Sequence, residues 1–242
     1  MGAPARAAAV GSLLALFLCA GCSGPATYHV TVSSIAREPD PAQGGAAADT
    51  TAADKTYVMR SGMPGVAPDD LQFLEFAVYV ERVLASKGYV RTGDEARAAM
   101  AVSLCYDVDA SRHTYTYSTP IYGPIGYCHH ACPSGGVTHQ PVYGVVGSHF
   151  HTGTYTMFHR TISIQGSDVR RHGSRAKDVP RWETTIRSSG SESDLRQLFP
   201  ILIAAAIDRV ATNTIKPVEL TIAEDDPRIR WVKGLPVQAN QR

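Results

Sequence analysis

The residues with the chemistry to bind something hard to ignore are Cys128-His129-His130-Ala131-Cys132, followed by His139, His149 and His151. Thiolates and imidazoles this close together are soft donors, and Cys128, His129, His130, Cys132 and His139 could supply a tetrahedral zinc or copper site. No carboxylate lies in the segment, which sets calcium and magnesium aside. The spacing lacks the two close-set ligand couples of a zinc module. In an oxidising compartment the same two cysteines would instead close a short disulfide, Cys128–Cys132, and would then offer no thiolates. The disulfide is the first expectation, and metal binding through the Cys/His cluster is the alternative. No resident cofactor is expected.

Other chemistries leave no trace in the chain. There is no Gly-x-Ser-x-Gly elbow, no His-Glu-x-x-His, no phosphate loop and no dinucleotide fingerprint. Glu224-Asp225-Asp226 is too short an acidic run for a metal cluster and reads as a solvated turn before Pro227. Cys105, in a strand pattern, reads as a small buried apolar residue. The sequence therefore predicts a protein that is not an enzyme.

The Cys/His cluster sits inside the most unusual stretch of the chain. From His113 to His159 there is no Asp, Glu, Lys or Arg, although 19% of the whole chain is charged. Seven of the nine histidines fall here, with Tyr115, Tyr117, Tyr122, Tyr127, Tyr143 and Tyr155. Tyrosine and glycine together suit a recognition surface, because aromatic rings offer contact area at low entropic cost. A structureless loop of this length is out of keeping with a compact domain, so part of the insert, taken as 109–152, is expected to be a hairpin. His113–Tyr117 has the composition of one arm.

The elements that must carry this insert can be read from periodicity. Tyr28, Val30 and Val32 alternate, as do Met100, Val102, Leu104, Tyr106 and Val108, which is strand spacing. Further strands are predicted at 56–60, 153–164, 181–188 and 217–222. The 153–164 strand switches apolar phase, and a bulge near 157–158 is expected to reconcile the two halves. Residues 36–54 read as a linker. A helix is predicted over 68–88, capped by Asp69 with Gln72 three residues on, its stripe running through Phe73, Phe76, Ala77, Val80, Val83 and Leu84. A second helix is predicted over 192–213, with Pro200 expected to kink or break it. Strand alternation with two helices predicts an α+β fold: a largely antiparallel sheet, both helices packed on one face, and the long Tyr/Gly/His-rich insert.

The N-terminus carries a targeting pattern. One charge at Arg6 precedes an apolar stretch, Ala7–Ala20, then Gly21-Cys22. The stretch falls short of the ~20 residues that cross a bilayer and reads as a signal segment over 1–21. Ala20-Gly21-Cys22 resembles the bacterial lipobox, with Cys19 where leucine is usual. That resemblance implies lipidation of Cys22, and Ser23 implies outer-membrane sorting. Two or more acyl chains anchor stably where one does not. Beyond the signal the chain is balanced, 22 basic against 22 acidic residues. That excludes a general polyelectrolyte binder, and no nucleic acid is expected as partner.

The segment from Ala67 to Tyr89, the Thr154–Asp168 strand, and the run from Trp182 through Ser188-Ser-Gly190, Asp194-Leu-Arg196, Phe199-Pro200 and Asn213 together resemble the bacterial lipoprotein family of domain of unknown function 4136. The resemblance spans about residues 56–230. It implies an envelope-exposed α+β domain behind a lipidated cysteine, with no catalytic residues to carry over; the Cys/His cluster is not part of it. The organisation expected is a signal over 1–21, a lipidated start, first strand and linker over 22–55, one envelope domain over 56–230, and a tail over 231–242. The expected role is a lipid-anchored, non-catalytic binding or scaffolding protein facing the periplasm. Its partners would be the membrane and an envelope protein or glycan.

Alkylation of the exported protein without reductant is expected to label neither Cys128 nor Cys132, as read by intact mass. Labelling after a chelator alone, together with stoichiometric zinc or copper lost in Cys128→Ser, would establish the metal alternative instead.

Overall fold

The computed structural model describes residues 25–37, 55–131, 137–169 and 179–236, with backbone alone for 129–131 and 137–138. The signal segment, Cys22, most of the 36–54 linker, Cys132 and the side chains of His129 and His130 lie outside the described residues.

Ten elements follow one another: β1 (Thr27–Ala36), β2 (Thr56–Ser61), α1 (Leu71–Ser86), β3 (Val90–Arg91), β4 (Met100–Ala131), β5 (Val137–Asp168), β6 (Val179–Gly190), α2 (Leu195–Ala206), β7 (Val218–Ala223) and α3 (Pro227–Val232). The strands form one seven-stranded sheet in the order β3-β2-β4-β5-β6-β1-β7. Pairing is antiparallel from β4 through to β7, and parallel where β2 meets β3 and β4. The fold is α+β with a mostly antiparallel sheet, as the alternation predicts. Strand β1 lies between β6 and β7, so residues 25–37 and 55–236 share one sheet.

All three helices cover one face of the sheet. The α1 stripe expected from the sequence is buried at every one of its six positions. Its cap, however, is Asp70, whose carboxylate accepts from the Phe73 amide at 2.8 Å, rather than Asp69. Gly88, at φ +81°, turns the chain out of the helix. Leu195, Leu198, Leu202 and Ala206 of α2 are buried against the same core. The two helices meet where Phe76 stacks on Phe199, ring centroids 3.9 Å apart, with Tyr106 edge-on to Phe76.

Three expectations need correction. Helix α2 runs unbroken through Pro200 and ends at Ala206, well short of 213. Pro200 lies in the first half of the helix, so the hydrogen bond it forfeits is close to the end where amides are unpaired anyway. The third helix, α3, follows Asp226, which caps it through the Arg228 amide, with Pro227 in the first turn. The acidic run is thus a turn that starts a helix. No bulge occurs at 157–158 in the β4–β5 ladder, whose register shifts lie at 121/122 and 124/126. The two apolar phases of β5 coexist because Ile162 and Ile164 face the helices, whereas Tyr155 lies beyond the end of the core and is exposed.

Close packing also constrains a glycine that periodicity does not single out. A Cβ on Gly166 would stand 2.4 Å from the Trp182 ring and 2.6 Å from Met100 Sδ.

Leu202→Ala should lower stability by about 2–5 kcal/mol in urea unfolding, because the residue is buried under the sheet and leaves a cavity. Gly166→Ala should cost about 1–3 kcal/mol by overpacking Trp182.

Candidate functional site

Strands β4 and β5 are far longer than the sheet that contains them. The β2 pairing of β4 ends at Leu104, and the β6 pairing of β5 ends at Phe158. Beyond the Ala110–Phe158 pair the two strands run on alone, paired only with each other, to Ala131 and Val137. At roughly 3.3 Å per residue this arm is about 70 Å long. The insert is therefore hairpin throughout its described length. Among the described residues, no member of the buried core lies between Val108 and Ile162.

The arm is rooted by Arg160, the first charged residue after the uncharged stretch. It is 2% exposed, and its guanidinium donates to the Glu192 carbonyl at the entry to α2. Burial pushes its pKa below the usual arginine value. The contact ties β5 to the β6–α2 connection at the point where the arm leaves the sheet.

Opposed residues of an antiparallel pair share a face, so the register sorts the arm's side chains into two sets. One face carries His113, Tyr115 and Tyr117 from β4, opposite Tyr155, Gly153 and His151 from β5. Rings run along it: His113 stacks on Tyr155 at 5.2 Å, and Tyr117 on His151 at 5.1 Å. Tyr115 lies over Gly153, where a Cβ would be 2.6 Å from the ring. The other face pairs Thr114 with Thr154, Thr116 with Thr152, and Ser118 with Phe150. Hydroxyls dominate it, with Phe150 the exception. The near part of the arm is thus amphipathic: a Tyr/His face against a Ser/Thr face.

The far part is apolar on both faces and internally repeated. Pro120-Ile-Tyr-Gly-Pro-Ile-Gly126 on β4 matches Pro141-Val-Tyr-Gly-Val-Val-Gly147 on β5. The register makes the match a local twofold. Gly123 pairs with Gly144, and about that pair Tyr122–Val145 exchanges with Pro124–Tyr143, and Ile121–Gly147 with Gly126–Val142. The two skipped residues, Ile125 and Val146, are equivalent as well. A Cβ on Gly144 would meet Ile125 at 2.6 Å, and one on Gly123 would meet Val146 at 3.0 Å. Each bulged aliphatic side chain covers the glycine of the opposite strand. This repeat is a signal in the sequence that periodicity alone passes over.

At the base, Ser111 Oγ lies 2.9 Å from both His113 Nε2 and His159 Nε2, and His159 Nδ1 lies 2.8 Å from Ser189 Oγ. This is a proton-sharing chain of hydroxyls and imidazoles on an open sheet face.

The structure brings few of the sequence-marked residues together. Backbone register sets Cys128 opposite Gln140 and His129 opposite His139 near the arm's tip, and Cys128 is exposed. The pairing of Cys128 with Cys132, and any ligand role of His129, His130 and Cys132, fall outside the described side chains. Among the described residues no three His, Cys, Asp or Glu side chains converge on a common point. Cys105 is half-buried rather than buried, because it sits on the open face of β4. Gly62 packs against its sulfur, and burial with the nearby Glu183 raises the thiol pKa. It borders a shallow hollow of about 400 Å³ with Met63, Pro64 and Ser163. A larger open hollow, about 610 Å³, lies over β1, β6 and β7 between His29, Arg187 and Glu219.

No family model matches the sequence, and the comparison with curated proteins gave no match. One solved structure, a PDZ domain protein from Parabacteroides distasonis, is similar over 82% of this chain at 10% identity and a TM-score of 0.36. The chain spans 40% of that protein's length.

Because the arm stands outside the core, deleting residues 114–154 and joining His113 to Tyr155 through Asn-Gly should leave a closed hairpin. The urea-unfolding free energy is expected to stay within about 1 kcal/mol of the parent chain.

Proposed function

We propose that this chain is a lipid-anchored bacterial envelope protein whose α+β domain presents the two-stranded arm, without catalysis, to another envelope component. One observation carries the reading: a ribbon about 70 Å long, uncharged from His113 to His159, extends from a small, otherwise evenly charged domain, and its described residues contribute nothing to the core. A stretch this exposed and rich in large side chains is costly to keep unless it meets a surface. Tyr122, Tyr127, Tyr143 and Phe150 are each between 64% and 76% exposed.

The anchor rests on Ala20-Gly21-Cys22 and on the resemblance to the family of domain of unknown function 4136; Ser23 after the cysteine supports an outer-membrane address facing the periplasm. The reading as a non-enzyme rests on the sequence, which carries none of the nucleophile-elbow, metalloprotease, phosphate-loop or dinucleotide motifs. A zinc or copper role for the tip is a second reading, favoured by the register that opposes His129 to His139 beside Cys128.

Palmitate labelling of the intact chain in cells is expected to be lost in Cys22→Ser, and an unlabelled parent chain would overturn the anchor. Crosslinking in intact envelopes should give adducts with the parent chain that disappear when residues 114–154 are replaced by Asn-Gly. Adducts unchanged by that deletion would overturn the role of the arm.

A further inference from the structure

The hydrogen-bonded cluster at the root of the arm carries ligand chemistry of its own, apart from the Cys/His tip. Asp109, Ser111 and His113 follow one another at every second position of β4 and so share a face. The ladder sets His159 of β5 opposite Asp109, on that same face. The two imidazoles thus approach Ser111 from opposite directions along the ribbon. Each brings Nε2 to within 2.9 Å of the Ser111 hydroxyl oxygen. Two imidazole nitrogens directed at one point are a ligand pair for a divalent ion of the zinc or copper class.

Neither ring is loosely held. His159 Nδ1 lies 2.8 Å from Ser189 Oγ of β6, and His113 stacks on Tyr155 with centroids 5.2 Å apart. A hydrogen bond on the far nitrogen is the usual support of a metal-binding histidine. It orients the ring and selects the tautomer whose Nε2 keeps its lone pair. Both rings are exposed, so they can turn from their hydrogen-bonded spacing to the closer one that bonds of about 2.0–2.1 Å require. Asp109 places a carboxylate on this face to offset the charge of the ion. Farther out, His149 and His151 also share a strand face, but their ring centroids stand 6.4 Å apart. No acid accompanies them, because the arm carries none beyond His113.

We propose that His113 and His159 bind one divalent transition-metal ion, zinc or copper(II), at the root of the arm. Ser111 Oγ and Asp109 complete the protein's share of donors, and water fills the remaining positions. The ion ties the first residue of the uncharged stretch to its last, and through Ser189 to β6, where the arm leaves the sheet. This site shares no residue with the tip. It goes beyond the proposed envelope contact and depends neither on that contact nor on Cys22.

The probes are zinc(II) by calorimetry and copper(II) by electron paramagnetic resonance, on untagged chains carrying Cys22→Ser. One is the full chain with Cys128→Ser and Cys132→Ser, which removes the thiols of the tip. The other has residues 114–154 replaced by Asn-Gly, which removes the tip and keeps Asp109, Ser111, His113, His159 and Ser189. The shortened chain is expected to take up one equivalent of zinc, and its copper spectrum to show two imidazole nitrogens. Ser189→Ala should weaken uptake about tenfold or more, as loss of an outer partner does. His113→Gln and His159→Gln should each weaken it further, and each should remove one equivalent from the full chain. Zinc uptake by the full chain that the folded shortened chain lacks would assign the metal to the tip and overturn the proposal. Affinity unchanged in His113→Gln and His159→Gln would overturn it too, as would no uptake by either chain. Should the shortened chain fail to fold, the full chain decides, and equal stoichiometry with and without His113→Gln overturns the proposal. Envelope crosslinking reports on the arm's partner separately, so the two readings fail by different results.

Discussion

Every feature of this molecule hangs on one uninterrupted ladder, the antiparallel pairing of β4 with β5 from Met100–Asp168 to Ala131–Val137. Side chains in a strand alternate strictly, so a single register sets both ends at once. Near its base it turns Leu104, Ile162 and Ile164 toward the helices and leaves Cys105 and Ser163 on the open face. Along the near part of the arm the same alternation separates tyrosines and imidazoles from hydroxyls. A slip of one residue would exchange core for surface at one end and the Tyr/His face for the Ser/Thr face at the other. The two register shifts that do occur lie far out, in the repeated segment, where neither consequence follows.

The helices make that ladder worth forming. Phe76 and Phe199 stack between α1 and α2 above Tyr106 of β4, so the helix pair and the base of the arm share one aromatic cluster. Arg160 closes the core at that end. A buried guanidinium is expensive; here the Glu192 carbonyl accepts from it and the Glu192 carboxylate attracts it, while its Nε is left without a partner. The arrangement marks the limit of the packed domain: on one side of Arg160 apolar side chains meet helices, and on the other they meet solvent or whatever the arm touches.

Much of the packed half was legible in the sequence because its signals are local and periodic. The α1 stripe names its buried residues correctly, since a helix repeats within four residues and an apolar face has one place to go. The strand phases of β1 and β4, and the existence of β6 and β7, were legible for the same reason. What was not legible is non-local or depends on an end effect. The parallel docking of β2 on β4 joins segments some forty residues apart and leaves no mark in either. Asp69 and Asp70 are equally able to cap, and only the packing of Phe73 selects between them. The arm was half legible. Its described glycines and prolines sit at or beside a bulge, under an opposing side chain or on a strand with a free edge. The matching Pro-Ile-Tyr-Gly and Pro-Val-Tyr-Gly runs were the available sign that two strands face one another.

The place of β1 has a mechanical meaning. It begins ten elements of structure, yet it lies inside the sheet, held by β6 on one side and β7 on the other. Tension applied through the N-terminal segment therefore loads two ladders in shear together, and neither can be peeled from an edge one bond at a time. The same placement sets an order of events during synthesis. A chain that emerges N-terminus first presents β1 long before residues 179–223 arrive to receive it, and the loop to be closed is long. β1 is thus the first described strand to appear, the last to be secured, and afterwards the part of the sheet that bears any such pull.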